Sequence, residues 1–440
     1  MAGGVVVLGG GSTGEAFVAA LRRYDPDVQI TLVERELLGG ECTYWACMPS
    51  KTLLRSPEVV ASARRAPGAA EAVTGKLDAD RIFWWRDQVV ENLDDSGHAD
   101  WLAERDIELV RGTGRVKAPG RIEADDTAIE YEKLVIATGS VPSIPPVPGL
   151  DEVDYWTNRD VTAGREVPAS VLVLGAGPVG CELAQFLARL GSRVVVLDIV
   201  DRVLPRDDPD AGSLLAERLA EDGIELRLGV EIERVEPGVR LRLAGGETIE
   251  GERLLVATGR KAAVDGLGLE RLGLELSRRG IEVDERLRAA ENVWAIGDVT
   301  GIAMFTHLGK YQGRVAAADV AGREARADYR AIPAVTFTDP QVASVGRTQG
   351  EGLVDARWSL PARASTYERP RRPGFVKLFA DAERRVLVGA VAVGPEAGEW
   401  LQQLTLAIRA EVPVDVLRDT IQPYPTFSEA IFFAARDLDL

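Results

Sequence analysis

The sequence of 440 residues predicts an α/β protein with two similar units, followed by a separate α+β region. One pattern occurs twice: an apolar run that ends in a glycine cluster, a helix-like stretch, a second apolar run that ends in an acidic residue, and later Ala-Thr-Gly. From residue 332 onward the chain changes to proline-bounded apolar runs with helix-like stretches between them. A chain of this length needs more than one core, so we expect several domains.

The two copies of the pattern have the same parts in the same order. In the first copy these are the apolar runs 5–8, 30–33 and 134–136, the glycine cluster 9–14, Glu34 and Ala137-Thr138-Gly139. In the second copy they are the runs 171–174, 194–197 and 254–256, the glycine cluster 175–180, Asp198 and Ala257-Thr258-Gly259. A strand, a glycine turn, a helix and a second strand form the βαβ unit of a parallel sheet. The sequence therefore predicts two Rossmann-like units.

Each glycine cluster has the Gly-x-Gly-x-x-Gly spacing of a dinucleotide-binding turn. Such a turn places a pyrophosphate against the backbone amides at the positive end of the following helix. An acid about 20 residues further on can accept hydrogen bonds from the adenosine ribose. The residues that fit this pattern are Gly9, Gly11, Ser12, Thr13, Gly14 and Glu34 in the first copy, and Gly175, Gly177, Pro178, Val179, Gly180 and Asp198 in the second. We expect each copy to bind one dinucleotide.

Asp198 also bears on the choice of nucleotide in the second copy. A carboxylate repels the additional phosphate of NADP, whereas an arginine would pair with it. Arg193 and Arg202 lie nearby in the sequence. We therefore expect NAD to be preferred, with NADP as the alternative.

The composition excludes several classes of function. A formal net charge of -17 disfavours binding to nucleic acid or to anionic membrane surfaces. No long apolar run suggests a membrane span, and the chain passes from Met1 into an apolar run without a signal-like segment. With only three cysteines, a structural metal site is not expected. We expect a cytoplasmic protein whose partners are small molecules.

Two of the cysteines, Cys42 and Cys47, lie in the segment 39–51, which reads Gly-Gly-Glu-Cys-Thr-Tyr-Trp-Ala-Cys-Met-Pro-Ser-Lys. In a regular helix, positions i and i+5 are farther apart than the roughly 4.4 to 6.8 Å that a disulfide tolerates between α-carbons. A bridge between them would distort the helical turn and would be easier to reduce. In a cytoplasmic protein such a pair is more often redox-active than structural. The third cysteine, Cys181, follows Gly180 and is expected to pack in the core.

The segment 39–51 resembles the cysteine motif of the pyridine nucleotide-disulfide oxidoreductases, of the dihydrolipoamide dehydrogenase, glutathione reductase and mercuric reductase type. The resemblance covers essentially the whole chain. It includes both glycine turns, both Ala-Thr-Gly turns, Gly297-Asp298, Phe337-Thr338-Asp339-Pro340 and Pro425-Thr426-x-Ser428-Glu429. It implies a homodimeric enzyme that binds FAD on the first unit and NAD(P) on the second, and that transfers electrons from NAD(P)H to a small acceptor.

The resemblance also implies domain boundaries. The FAD-binding domain would comprise residues 1–148 and 261–330, and would include the short apolar strand that ends at Gly297-Asp298. The NAD(P)-binding domain would comprise residues 149–260. Residues 331–440 would form an α+β dimerisation domain.

Particular residues take roles from the same resemblance. Cys47 would lie against the flavin as the charge-transfer thiol, and Cys42 would face the substrate as the interchange thiol. Lys51 and Glu182 match a pair near the reactive nitrogen of the flavin, where a cation would stabilise negative charge. Asp298 matches the residue that holds the ribityl chain and phosphates of FAD. Further positions assigned to cofactor binding are Arg35, Gly40, Glu41, Gly114, Ala137, Thr138, Gly139, Ser140, Gly259, Arg260, Gly297 and Thr306.

The chain departs from this pattern at its C-terminal catalytic motif. Dihydrolipoamide dehydrogenase and glutathione reductase have a His in His-Pro-Thr as base, paired with a Glu five residues later. This sequence has Tyr424 at the position of the His, with Glu429 retained, and Gln422 where some relatives have another His. A tyrosine with an ordinary pKa of about 10 is a poor base at pH 7, and general-base help is worth roughly 10²- to 10⁴-fold. Tyr424 and Glu429 would face the partner's cysteines in the dimer, and we expect a changed acceptor.

The sequence therefore does not decide the identity of the electron acceptor. The leading interpretation is that electrons pass through FAD and the Cys42–Cys47 pair to a disulfide or another small acceptor. The alternatives are a quinone or dye reduced directly by the flavin, a metal ion such as Hg(II), or a non-catalytic redox-sensing flavoprotein. Mercuric reductase works without the His and has a Tyr in this region, but its C-terminal cysteine pair and N-terminal metal-binding domain have no counterpart in this sequence.

Overall fold

A computed structural model describes residues 4–367 and 374–440 of the chain. By their internal contacts, the residues form two compact units. The first unit comprises Met1–Pro49, Trp84–Ser143 and Gly259–Asp328, and the second comprises Ser50–Phe83, Ile144–Thr258 and Tyr329–Leu440. Within the described residues, no helix is long and apolar enough to cross a membrane.

The first unit contains a six-stranded sheet. From edge to edge its strands are Arg288–Ala290, Val293–Ala295, Lys133–Ile136, Val5–Leu8, Ile30–Glu34 and Ile107–Arg111. All neighbours are parallel except the first two, which are antiparallel. Smaller antiparallel sheets are formed by Gly114–Ala118, Arg121–Ala124 and Thr127–Glu130, and by Ser140–Pro142 with Arg260–Ala262. The helical segments are Ser12–Tyr24, Gly40–Tyr44, Glu91–Leu93, Ser96–Ala103, Leu269–Leu272, Gly297–Thr300 and Thr306–Val320.

The central strand of this sheet is buried on both faces. Val5 and Val7 share a core with the helix Ser12–Tyr24, whereas Val6 and Leu8 share a core with the three-stranded sheet. A strand that is covered on both faces is a continuous apolar run rather than an alternating one. This is the physical reason that the run preceding the glycine cluster contains only apolar residues.

The second unit repeats this arrangement in a four-stranded parallel sheet. Its strands, in spatial order, are Glu225–Leu228, Arg193–Asp198, Ser170–Leu174 and Arg253–Val256. A three-stranded antiparallel sheet of Ile232–Glu236, Arg240–Leu243 and Thr248–Glu250 accompanies it. The helical segments of this part are Leu150–Glu152, Asn158–Ala163, Pro178–Arg189 and Pro209–Glu221.

The C-terminal part of the second unit is an antiparallel sheet with helices. The strands, in spatial order, are Pro333–Thr336, Gln341–Gly346, Val386–Gly394, Phe375–Asp381 and Leu353–Ser359. The helices are Pro361–Tyr367, Ala397–Trp400, Gln402–Arg409, Val414–Asp419 and Glu429–Arg436. The helices Gln402–Arg409 and Glu429–Arg436 share one buried apolar cluster with these strands. The short segment Ala70–Ala72 also lies in this unit, and the helices Cys47–Arg65 and Ala79–Val89 each begin in one unit and end in the other.

Candidate dinucleotide sites and cysteine pair

In each glycine turn, two of the three glycines are required by the protein's own packing. Gly9 and Gly175 both have a φ of 109°, a conformation that side chains disfavour. A Cβ on Gly14 would meet the carbonyl oxygen of Gly9, and a Cβ on Gly180 would meet that of Gly175. These glycines therefore let each helix approach its strand closely.

The middle glycine of each turn is different. Gly11 and Gly177 cap the following helices with φ values of -69° and -79°, which any residue can adopt. A Cβ on Gly177 would meet nothing within 4 Å, and a Cβ on Gly11 would meet only the Cα of Gly40, at 3.9 Å. Neither packing nor backbone conformation requires glycine at these positions, so the open space in front of each helix fits the close approach of a pyrophosphate.

The acid at the end of the second strand lies beside the glycine turn in both copies. Glu34 accepts hydrogen bonds from the backbone N–H groups of Gly10, at 2.7 Å, and Glu36, at 2.7 Å. Asp198 accepts the equivalent bonds from Ala176, at 2.7 Å, and Val200, at 2.9 Å. Both carboxylates are thus fixed at the strand end where an adenosine ribose is expected. Arg35, next to Glu34, is exposed.

A second polar cluster of the first unit surrounds Asp298. The Ser140 hydroxyl donates a hydrogen bond of 2.6 Å to the Asp298 carboxylate, and Arg260 Nε donates one of 2.8 Å to Ser140 Oγ. Arg260 also lies 3.4 Å from the Glu41 carboxylate. Burial raises the pKa of Asp298, against the opposing effects of Ser140 and Arg260. The half-buried Asp298 carboxylate can accept hydrogen bonds from the ribityl hydroxyls of FAD, and the Arg260 guanidinium can pair with its phosphates.

Thr13 connects this cluster to the first glycine turn. Gly297 has a φ of 79°, and a Cβ there would meet the Thr13 side chain. Gly309 on the helix Thr306–Val320 packs against the same side chain. Asp298 therefore lies beside the first glycine turn, as the resemblance implies for the FAD site.

The two cysteines do not lie in one regular helix. Cys42 is in the helix Gly40–Tyr44, Cys47 begins the helix Cys47–Arg65, and Trp45 between them has non-helical dihedral angles. The distortion expected from the five-residue spacing is thus present as a break between two helices. Both cysteines are free thiols and half-buried.

The thiols contact each other and the first glycine turn. The Cys42 thiol forms hydrogen bonds with the side chains of Cys47, Thr306 and Ser12. Cys47 Sγ lies 3.3 Å from Thr306 Oγ1. The turn before Cys42 is held because Gly39 N donates to Gly10 O at 2.8 Å, and Ser12 Oγ donates to Gly39 O at 3.1 Å. The cysteine pair therefore lies next to the expected FAD site within the first unit.

The electrostatics of Cys42 predict a pH dependence. The hydrogen bond with Cys47, followed by burial, raises the pKa of the Cys42 thiol above its usual value. The raised pKa keeps Cys42 protonated at neutral pH, and the thiolate is the nucleophile. We therefore expect the rate of reduction of a disulfide acceptor to rise about tenfold per pH unit between pH 7 and pH 9.

Steady-state rates with a disulfide acceptor, measured across this range, would check the prediction. A dye that takes electrons without the cysteines is the control, and its rate should not follow this slope. A flat profile with the disulfide acceptor would mean that a base deprotonates Cys42 or that Cys42 is not the nucleophile.

In the second unit, Lys51 and Glu182 form an ion pair. Lys51 Nζ lies 2.8 Å from Glu182 Oε2, and the Glu182 side chain is only 6% exposed. The backbone N–H of Phe337 donates to Glu182 Oε1 at 2.8 Å. The Lys51 ammonium lies 4.8 Å from the centre of the Phe337 ring. Both carboxylate oxygens of this buried acid are therefore satisfied.

The remaining predicted residues divide into four groups. Ala137, Thr138, Gly139 and Gly40 lie beside the first glycine turn or its partner strand, and Thr138 Oγ1 donates to Ala263 O at 2.8 Å. Gly259 follows the strand Arg253–Val256 in the corresponding place. Gly114 faces the side chains of Leu8 and Val33, so its lack of a side chain is explained by packing. Tyr424 is 76% exposed, and Glu429 begins the last helix.

One contact near the cysteine turn was not expected. His98 Nδ1 lies 2.6 Å from Glu15 Oε1, in the first turn of the helix Ser12–Tyr24, and burial raises the pKa of Glu15. A Cβ on Gly39 would meet the His98 ring. The sequence signal was an acid in the first helical turn, but its partner lies 83 positions away and no local pattern connects the two.

Comparison with known proteins identifies the family. Residues 3–325 match the family described as pyridine nucleotide-disulphide oxidoreductase, and residues 332–435 match the dimerisation domain of that family. The chain belongs to the pyridine nucleotide-disulphide oxidoreductase family. It is therefore an FAD-dependent oxidoreductase that uses a pyridine nucleotide, and it carries a dimerisation domain. The resemblance and the fold class predicted from the sequence are confirmed.

The chain is similar to dihydrolipoyl dehydrogenases and to mercuric reductases. The chain is 34% identical over 453 residues to dihydrolipoyl dehydrogenase 2 of Haloarcula marismortui, covering 98% of this chain and 95% of that protein. It is 32% identical over 445 residues to mercuric reductase of Staphylococcus aureus, covering 98% of this chain and 81% of that protein. Among solved structures, LpdA from Mycobacterium tuberculosis superimposes with a TM-score of 0.87 and 29% identity, covering 98% of each chain.

Proposed function

We propose that this oxidoreductase transfers two electrons from NADH, by way of bound FAD, to a small disulfide acceptor, with Cys42 and Cys47 as the redox-active pair. FAD supplies the chemistry that converts a hydride from the nicotinamide into electrons that a disulfide can accept. One observation carries the proposal: the two thiols contact each other, and they lie beside Thr306 and the first glycine turn. The residues proposed to hold FAD are Gly9, Gly11, Gly14, Glu34, Ser140 and Asp298.

The cysteines perform the exchange with the acceptor. Cys42 loses its proton and attacks one sulfur of the acceptor disulfide, which forms a mixed disulfide and releases the first thiol. Cys47 as thiolate then attacks Cys42 Sγ, which forms the Cys42–Cys47 disulfide and releases the second thiol. The acceptor gains two electrons and two protons, and the cysteine pair loses them. NADH and one proton restore the two thiols and yield NAD⁺.

Lys51 and Glu182 have an electrostatic role in this proposal. Lys51 is the cation proposed to stabilise the negative charge that develops on the reduced cofactor. Glu182 holds the ammonium at 2.8 Å and is itself buried. The ion pair holds the Lys51 ammonium in place before the reaction, so the side chain need not move when negative charge develops on the cofactor.

We further propose that the active enzyme is a homodimer. Residues 331–440 would form the interface and carry Tyr424 and Glu429 to the partner's cysteines. We also propose the domain boundaries given above, with FAD on residues 1–148 and 261–330 and the nicotinamide nucleotide on residues 149–260. The match of residues 332–435 to a dimerisation domain supports the dimer.

NADH is the proposed donor because Asp198 faces the position of the ribose. Replacing Asp198 with Asn removes the charge that repels an additional phosphate, but it also places an amide against a backbone N–H. NADH binding should weaken, and the ratio of kcat/KM for NADPH to that for NADH should rise about tenfold. Kinetics with both nucleotides measure this ratio. Asp201→Asn removes an exposed carboxylate nearby and is the control; an unchanged ratio in D198N would contradict the role of Asp198.

Reduction of a soft metal ion is the second candidate. Two adjacent thiols are ligands that such ions prefer, and Tyr424 stands where a base for dithiol substrates is expected. Within the described residues, no cluster of three or more His, Cys, Asp or Glu side chains is arranged to hold a metal ion. In this candidate function, the ion bound by Cys42 and Cys47 is the substrate.

A panel of acceptors tests the proposed function. We expect NADH oxidation by the purified protein with lipoamide or an aromatic disulfide, measured by absorbance at 340 nm. Oxidation with Hg(II) or Cu(II) alone would favour the metal candidate, and oxidation with quinones alone would favour direct transfer from the flavin. No oxidation with any acceptor would contradict catalysis.

A further inference from the structure

The helix Pro178–Arg189 contacts one short segment of the C-terminal region, residues 337–339. Glu182, Gln185 and Arg189 lie at positions i, i+3 and i+7, which share one face of a helix. All three contact the segment 337–339, which lies within the second unit and within the region matched by the dimerisation domain. The side chain that holds Lys51 is thus one of three contacts to this segment.

The contacts to the backbone of the segment are closely spaced. Phe337 N donates to Glu182 Oε1 at 2.8 Å. Asp339 N donates to Gln185 Oε1 at 2.7 Å, and Gln185 Nε2 donates to Asp339 O at 3.0 Å. Gln185 is 1% exposed, so loss of these two bonds would leave buried polar groups without partners.

The Asp339 carboxylate adds a charged contact to two helices. Its Oδ2 atom lies 2.8 Å from Arg189 Nη2 and 2.9 Å from Arg65 Nη2. The side chains of Arg189 and Asp339 are 10% and 14% exposed. Removing one partner of such a largely buried ion pair is costly, because it leaves a charge without compensation.

Arg65 and Lys51 lie on the same helix, Cys47–Arg65. They are separated by about four helical turns and therefore lie on the same face. Lys51 meets Glu182 and the Phe337 ring, and Arg65 meets Asp339. Both helices therefore contact the segment 337–339. The Lys51–Glu182 pair contacts Phe337 at one end, and Arg65 and Arg189 contact Asp339 at the other end.

We infer that Asp339 and Gln185 are positioning residues that fix the Lys51–Glu182 ion pair, acting through the backbone of the segment 337–339. This inference rests on the proposed function for the value of the pair in catalysis, but not for its geometry. When the Asp339 anchor is lost, the Phe337 N–H moves from Glu182. The Lys51 ammonium then loses its fixed carboxylate partner and the ring beneath it.

The first readout is the chemical reactivity of Lys51. In Asp339→Asn, we expect an amine-reactive acylating reagent to label Lys51 at least about fivefold faster than in the wild type, measured by peptide mass spectrometry. Lys377 is the internal control, because it is 17% exposed, lies in the same unit and pairs with Asp208. A general loosening of the fold would raise the labelling of Lys377 as well, whereas a positioning role changes Lys51 alone.

Two further variants complete the experiment. Asp339→Glu keeps the charge and should label Lys51 within about twofold of the wild type. Gln185→Met removes the two hydrogen bonds to Asp339 and also the bond from Gln185 Nε2 to Asp222 Oδ2. It should raise Lys51 labelling in the same direction as Asp339→Asn, which keeps the test decisive if D339N does not fold. Wild-type labelling of Lys51 in D339N and Q185M, or equal increases at Lys51 and Lys377, would overturn the inference.

The second readout connects the pair to the reaction. The rate of reduction by saturating NADH should fall between about 10- and 100-fold in D339N, without a matching change in KM for NADH. Labelling of Lys51 does not depend on any electron acceptor. It therefore tests the positioning role of Asp339 even if the cysteines prove not to be redox-active. Faster labelling with an unchanged rate of reduction would retain the geometry and contradict the electrostatic role of Lys51 under the proposed function.

Discussion

Replacement of Cys42 with Ser should abolish reduction of disulfide acceptors while the protein keeps its FAD and still oxidises NADH with a dye. A serine hydroxyl neither forms a disulfide nor attacks one, and removal of a catalytic nucleophile can cost roughly 10⁶-fold in kcat. We expect a loss of more than about 10³-fold with the disulfide acceptor. Parallel steady-state assays with a disulfide and with a dye measure the two activities.

The third cysteine provides a matched control for this experiment. Cys181 is fully buried, and its thiol donates to Ala176 O at 3.3 Å, a bond that a serine hydroxyl can also make. Cys181→Ser should keep disulfide reduction within about threefold of the wild type. Retention of disulfide turnover in C42S, or an equal loss in C181S, would contradict the assignment of the redox pair.

Replacement of Gly177 with Val should remove the second dinucleotide site without unfolding the protein. Gly177 has an ordinary φ, and a Cβ at this position would meet no protein atom within 4 Å. The added side chain would occupy the space in front of the helix where the pyrophosphate is expected. We expect KM for NADH to rise at least about 100-fold, while FAD content and melting temperature stay near those of the wild type.

Gly75 is the matched control, since a Cβ there also meets nothing within 4 Å and its φ is ordinary. Gly75→Val should leave KM unchanged. Gly180→Ala is the contrasting variant, because its Cβ would meet Gly175 O and should lower the melting temperature as well as binding. Wild-type KM in G177V would contradict the assignment of this turn as the nicotinamide nucleotide site.

Much of the fold could be predicted because two signals are local. The apolar runs that precede each glycine turn are buried on both faces of a sheet, so they contain no polar residues. The glycines at positions 9 and 175 have left-handed backbone conformations, and those at 14 and 180 allow close packing. These requirements appear directly in the sequence as a repeated motif.

Other features depend on contacts that the sequence does not display. Residues 121–130 form two strands, Arg121–Ala124 and Thr127–Glu130, because Asp125 has a φ of 47° and starts a turn. The strand Gln341–Gly346 was not predicted. It pairs antiparallel with Val386–Gly394, a contact between distant parts of the sequence that no local pattern displays.

The site shows the same limit. The motif predicted Lys51 and Glu182 as site residues. The hydrogen bonds that fix Glu182 and its helix involve the backbone of Phe337 and Asp339, more than 150 positions away in the sequence. Arg260 was expected to bind a cofactor, and position 260 was placed at the end of the NAD(P)-binding domain. Its side chain bonds Ser140 in the first unit, because the strand Arg260–Ala262 pairs with Ser140–Pro142.

The central claim is that NADH reduces a disulfide between Cys42 and Cys47, and trapping of thiols tests it most directly. The purified protein is treated anaerobically with or without NADH, denatured in the presence of an alkylating reagent, and digested for mass spectrometry. We predict that Cys42 and Cys47 are alkylated only after NADH treatment, whereas Cys181, the internal standard, is alkylated in both samples. Equal alkylation of Cys42 and Cys47 with and without NADH would contradict the claim, and electron transfer would then bypass the cysteines.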